Sequence, residues 1–271
     1  MMKNLFIFFD FIKKLIRSRS MIRTMAVREL KARYIGSLFG VFWAVLNPVA
    51  EVVIYGMVFG VFFKSKPDPI YGTDSYMLVL LCGLIPWQFF SQAVMSSSGS
   101  IVSNSNIVKK AVGFPSEILP IVTVISNMIN HFVSLGILLV IVVFFGKVSV
   151  YMFMVGFYLF FAAVFSIGLG WILSSLSVFL RDVQQVVGLV MMALFFLSPV
   201  FYSPSVFPKP MLMFLRLNPM FHVVQGYKLA LLAGTIIPAG DFIYLAASSF
   251  VTFGIGGLFF KKLKPAFAEV L

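Results

Sequence analysis

Long, unbroken apolar runs recur along this chain, separated by short polar stretches. Six of them, at 38–63, 76–95, 118–145, 151–179, 186–202 and 242–260, come near the ~20 residues a helix needs to cross a bilayer. The runs are continuous rather than alternating, so the strands of a membrane barrel do not fit. The pattern predicts an all-α membrane protein with six transmembrane helices. It divides the chain into an N-terminal segment (1–37), a membrane domain (38–260) and a short tail (261–271).

Three stretches outside the runs have a pattern of their own. At 18–34 the chain is basic and mildly amphipathic, with Ile22, Ala26, Leu30 and Tyr34 recurring every four residues. This predicts a helix lying in the membrane interface. At 96–117 a serine- and asparagine-rich loop gives way to Ile107, Val108, Lys109 and Lys110, then Gly113 and Phe114. Asn104 or Asn106 is placed to cap a short helix there and Gly113 to end it. At 203–240 two apolar pieces, 211–217 and 220–232, are too short to cross. Asn218 and Pro219 open the second piece and Gly234 stops it. They are expected to be two short re-entrant helices, sheltered by protein or lining a wet cavity.

Composition excludes a soluble domain. The 271 residues are 61% hydrophobic and 11% charged, against about 45–50% and about 25% in soluble domains. The net charge of +12 reads as orientation rather than nucleic-acid binding. Fifteen of the 21 Lys and Arg residues fall on the side of the N-terminus, the 96–117 loop and the tail. That side, with both termini, is expected to be cytoplasmic. The 203–240 pair is then on the outer side. Residues 5–9 are too short and too soon followed by Lys13 and Lys14 for a secretory signal. The single cysteine, Cys82, excludes an internal disulfide.

No catalytic motif is found. There is no G-x-x-x-x-G-K-[ST] loop, no G-x-S-x-G and no H-E-x-x-H. His131 and His222 fall on opposite sides of the expected membrane, so no metal site is expected. Glu51 is the clearest ionisable residue within a span. Asn47 and Tyr55 lie one turn away on its face, as polar contacts along a path or as a hydrogen-bonded cluster between helices. Asn127, Asn130 and His131 form a second patch, which fits a structural role better. On the second re-entrant helix Met220, Val223, Val224, Tyr227 and Leu231 share one face, suited to a hydrophobic outer gate. His222, Gln225 and Lys228 are left for water, headgroups or sugar hydroxyls. Asp182, after Arg181, suits the start of the fifth span.

Four stretches together resemble the membrane permeases of type-2 ABC exporters for O-antigen, capsule and teichoic-acid polymers. They are RELKARYIGSLFGVFWAVLNP (28–48), SNSNIVKKAVGFPSEILP (103–120), FLRDVQQVVGLVMMALFFLSPVFYSPSVFP (179–208) and LNPMFHVVQGYKLALLAG (217–234). The resemblance implies a homodimer with two separate ATP-binding-cassette ATPase subunits, which carry the ATP and Mg. It implies a polyprenyl-diphosphate-linked polysaccharide threaded across the inner membrane between protomers, toward lipopolysaccharide or wall assembly. The 96–117 loop then holds a cytoplasmic coupling helix, with Asn106, Ile107, Val108, Lys109, Lys110 and Phe114 as its ATPase contacts. The alternatives are a type-2 permease for a drug or small lipid, or a membrane-embedded enzyme. The scattered acids, such as Asp68, Asp74 and Asp241, argue against the enzyme.

Overall fold

The computed structural model describes residues 13, 15–35, 40–62, 66–110 and 114–271. The stretch at 5–9, positions 38–39, Phe63 and Gly113 lie outside them. Among the described residues every regular element is helical. In chain order these are α1 (Arg19–Tyr34), α2 (Trp43–Tyr55, followed by a π-helical stretch Gly56–Phe62), α3 (Tyr76–Ser103), α4 (Ser105–Lys110) and α5 (Ile118–Phe144). Then come α6 (Met154–Phe179), α7 (Val183–Leu197), α8 (Lys209–Leu215), α9 (Pro219–Lys228, with a π-helical stretch Leu229–Ala233), α10 (Ala239–Leu263) and α11 (Phe267–Val270). Four of them, α3, α5, α6 and α10, are long and apolar enough to cross a bilayer. The apolar helices at Val45–Phe59 and Val183–Leu197 are shorter.

The bundle is built around α3, which packs on both α5 and α6, while α10 runs along α6. The α6–α10 crossing is backbone to backbone. A methyl placed on Gly256 would sit 2.2 Å from the Gly168 carbonyl oxygen, so only glycine permits this approach. α1 packs along α5, and α9 is wedged against α3, α6 and α10. By contrast α2 touches α3 and α5 only lightly and leaves Val45, Val49 and Val53 exposed.

The serine-rich stretch expected to begin a loop at residue 96 instead extends α3 by two turns, to Ser103. Ser97, Ser98 and Ser100 are buried. Ser97 Oγ shares a hydrogen bond with Thr123 Oγ1 at 2.7 Å, and Ser98 Oγ donates to the Met95 carbonyl at 2.7 Å. Small hydroxyl side chains satisfy themselves against their own helix and let a neighbour come close. Polarity in a helix–helix contact was therefore mistaken for polarity in solvent. Asn104 does not cap α4 with its side chain; its Nδ2 donates back to the Ser100 carbonyl at 2.8 Å and finishes α3.

Loop contacts gather at two ends. At the basic end Lys264 pairs with Glu117 and lies 3.5 Å from the Phe114 carbonyl. At the far end Ser203 and Ser205 donate to Asp68, and Lys147 donates to the Gly72 carbonyl. At that end α7 stops at Leu197, five residues before the expected boundary, because the chain turns through Ser198 and Pro199. The opening of α9 is as its sequence demands: Asn218 Oδ1 accepts from the Met220 amide at 3.0 Å and Pro219 follows the cap. Gly234, at φ 63°, ends the helical stretch in the left-handed region.

Candidate functional site

The two polar patches that looked separate in sequence meet in one pocket between α2, α3 and α5. Asn47 and Glu51 face it from α2, Gln88, Phe89 and Gln92 from α3, and Asn127, Asn130, His131 and Ser134 from α5, with Trp43 at its rim. It encloses a void of about 80 Å³, room for a few waters. Gln88 Nε2 donates to the Glu51 carboxylate, so this half-buried acid has a partner within the bundle. His131 Nε2 bonds the Tyr227 hydroxyl at 3.0 Å, and Phe89 packs 5.2 Å from the imidazole. The His131 Nδ1 is buried and completes no hydrogen bond among the described residues. Asn127 sits at the edge: its Nδ2 donates to the Thr123 carbonyl at 2.8 Å and its Oδ1 accepts from Arg33 Nη1 at 2.9 Å. That bond, with the Ser126 hydroxyl near the Ala26 carbonyl at 3.4 Å, fastens α1 to α5.

Tyr55 does not join the pocket. It lines an adjoining groove between α2, α3 and α7, with Ser91, Met95, Met191 and Phe195. Gln88 and Gln92 border both cavities. These two residues escaped the sequence reading, although their i, i+4 spacing inside an apolar run was a legible signal. Asn47 and Gln92 are exposed on the protomer surface.

At the basic end α4 presents Asn106 and Lys109 to solvent, with Ile107 and Val108 half-buried. Val108 and Phe114 pack against a cluster holding Ile101, Ile118, Trp171, Phe260 and Phe267. Phe114 is thus partly spent on the chain's own tail. The Trp171 indole donates to the Glu117 carbonyl at 2.9 Å, behind the Glu117–Lys264 pair. Arg181 and Asp182 are both exposed, and Asp182 precedes α7 without a side-chain cap bond.

At the far end Met220, Val223, Val224, Tyr227 and Leu231 are all buried inside one protomer. They pack in the same core as Leu81, Tyr158 and Val200. The polar residues of α9 also point inward, contrary to the expectation of free headgroup or sugar contacts. Lys228 is fully buried, and its ammonium donates to the Pro199 and Val200 carbonyls at 2.6 and 3.0 Å. It satisfies the turn that ends α7. Gln225 Oε1 accepts from the Tyr71 hydroxyl at 2.9 Å, and burial pushes that phenol up to about 12. His222 Nε2 lies 2.8 Å from the Arg216 carbonyl, and its Nδ1 is 3.8 Å from Asp241. The Ser203 and Ser205 hydroxyls and the Ile70 amide hold the Asp68 carboxyl below its usual range. No group of His, Cys, Asp and Glu suited to a metal occurs among the described residues.

Helices long and apolar enough to cross a bilayer, packed into one bundle, are the architecture of a multi-span membrane protein. The ABC-2 type transporter family model matches residues 20–232, and the chain belongs to that family. It is 28% identical over 263 residues to the O-antigen export system permease protein RfbA of Myxococcus xanthus, covering 95% of this chain and 98% of that protein. It is 26% identical to RfbA of Klebsiella pneumoniae over 90% of this chain and 92% of the relative. The polysialic acid transport protein KpsM of Escherichia coli is also 26% identical, over 90% of this chain and 94% of its own length.

Proposed function

We propose that this chain is the transmembrane subunit of an ABC exporter for a polyprenyl-diphosphate-linked, O-antigen-like polysaccharide. It works as a homodimer in the inner membrane with both termini cytoplasmic. ATP and Mg bind a separate ATP-binding-cassette subunit. Support comes from permease relatives aligned over at least nine-tenths of the chain. The carrying observation in the bundle is the exposure of Asn47 and Gln92 within apolar helices. Carboxamides turned to lipid lose their hydrogen bonds. A face that displays them therefore belongs on a wet path or against a second copy.

In this reading the exposed side of α4, with Asn106, Ile107 and Lys109, meets the ATPase, and Val108 and Phe114 brace it from behind. Because the apolar face of α9 is buried in the protomer, any outer seal formed by the pair falls to the exposed Met211, Met213, Phe214 and Leu217. The test is removal of the chain from its host. Polymer should then accumulate inside and vanish from the cell surface, and the purified chain should turn over ATP only with its partner. Surface polymer in the chain's absence, or ATP hydrolysis by the chain alone, refutes the proposal.

A further inference from the structure

Another cavity lies at the basic end, between α1, the last turns of α3 and the first turns of α5. Its volume is about 320 Å³, against about 80 Å³ for the pocket around Glu51. By the share of volume a water takes, that is room for about ten waters, or for a ligand the size of a lipid headgroup. α3 turns one face toward it, Ser96, Ser100, Ser103 and Asn104, at the spacing of successive turns. Met25 on α1 and Leu119 and Val122 on α5 supply apolar walls.

The hydroxyls on this face differ from their neighbours. Ser97 and Ser98, turned into the bundle, spend theirs on Thr123 and on the Met95 carbonyl. Ser100 is 3% exposed, yet its Oγ has no hydrogen-bond partner. Ser96 and Ser103 make no hydrogen bond through their side chains among the described residues either. A buried hydroxyl left unpaired is costly, so an acceptor arriving in the cavity relieves a penalty that the folded chain already carries.

Charge selects the acceptor. Arg28 lines the cavity from α1 and makes no ion pair or side-chain hydrogen bond among the described residues. Glu29, the one acid in the lining, is already held by Arg33 at 3.2 Å. One cation in the lining is therefore left over, which matches the single charge of a phosphodiester. A diphosphate would bring more negative charge than Arg28 balances, and would bring it beside Glu29. The basic helix α1 has the composition of one that lies at headgroup depth, and the apolar walls suit the acyl-bearing end of a lipid.

We infer that this cavity binds the phosphodiester headgroup of an anionic glycerophospholipid, with Arg28 and the Ser100 hydroxyl as donors to it. The headgroup fills the wedge between α1 and α3, so the lipid helps to hold the interfacial helix against the bundle. This holds whichever polymer the protein exports.

Native mass spectrometry of the full chain, purified in detergent and stripped of lipid, tests this with dioleoyl phosphatidylglycerol as the probe. The native chain should bind it, and Arg28→Gln should weaken that binding about tenfold or more. Arg23→Gln, at an exposed position of α1 outside the cavity, should leave it unchanged. Dioleoyl glycerol, with the same chains and no phosphate, should not compete. Ser100→Ala separates ligation from structure, with thermal unfolding followed through exposure of the buried Cys82. Without lipid its midpoint should match or exceed the native one, because an unpaired buried hydroxyl has gone. The rise in midpoint that phosphatidylglycerol gives the native chain should shrink in this variant. Equal weakening in Arg23→Gln and Arg28→Gln would mean diffuse attraction to a basic helix. Competition by dioleoyl glycerol would mean an acyl contact alone, and displacement of the lipid by inorganic phosphate would mean a free-anion site. Any of these results, or an undiminished lipid effect in Ser100→Ala, overturns the inference.

Discussion

The contact between Gly168 and Gly256 makes a sharp demand on stability. In Gly256→Ala the new methyl would lie 2.2 Å from the Gly168 carbonyl oxygen and 2.9 Å from its carbonyl carbon. An ordinary contact needs about 3.4 Å or more between carbon and oxygen. The obstacles are backbone atoms of α6, so no rotamer change relieves them. The helices must part by roughly an ångström along a closely packed seam that includes Phe161 against Phe250 and Trp171 against Phe253. Overpacking of this kind costs about 1–3 kcal/mol. Replacing a helical glycine by alanine returns about 0.5–1 kcal/mol; with the obstacle being backbone that cannot move aside, the cost lies toward the upper end, which leaves a net loss of up to about 2.5 kcal/mol. Cys82 is the chain's single cysteine and is buried, so a thiol-reactive dye reports unfolding without any added label. The Gly256→Ala chain should unfold a few degrees below the native chain. Gly254→Ala, two residues away and with open space at its Cβ, should unfold at or slightly above it. A Gly256→Ala midpoint equal to or above the native one would refute the close crossing of α6 and α10.

Three more outcomes follow from the far and basic ends. Lys228→Met should raise the labelling rate of Cys82 severalfold in the folded chain, because the Lys228 ammonium binds the Pro199 and Val200 carbonyls while its Cε lies against Gly83, the neighbour of Cys82; an unchanged rate would mean the turn holds without it. Phe114→Ala should lower the thermal midpoint as well as weaken ATPase association, whereas Lys109→Ala should change only association, since Phe114 packs into the chain's own cluster and Lys109 is exposed; equal midpoints for the two variants would contradict this. Asp68 has a depressed folded-state pKa, so its contribution is present above the unfolded value of about 3.9 and is lost as pH falls through the lower folded value. Ser203→Ala/Ser205→Ala should therefore narrow the stability gap between neutral pH and about pH 3, and an unchanged gap in thermal scans would count against the Asp68 clamp.

Much of this protein was legible one residue at a time. Helices form wherever long apolar runs leave backbone groups no partner but their own turn, and the pattern placed most boundaries within a few residues. The Asn218–Pro219 opening and the Gly234 stop are local chemistry, which acts without reference to the rest of the chain. What the sequence left open were distances between helices. Nothing in the spacing of Asn47 and Glu51 says that Gln88, Gln92 and His131 stand across from them, because three helices must meet before the pocket exists. Ser97, Ser98 and Ser100 read as solvent-facing, since hydropathy counts polar atoms and cannot see that all three are buried in the bundle, where the Ser97 and Ser98 hydroxyls find partners. Lys228 misled for the same reason: a lysine in a short helix normally seeks water, and only the turn at Pro199 and Val200, brought beside it by packing, supplies carbonyls enough to hold it in the core. The chain alone determined where the apolar helices lie, though not how far α3 continues through its serines to Ser103. Tertiary packing decided which polar groups are spent within the protein and which stay exposed on its surface, because burial of a polar group depends on the partner it meets.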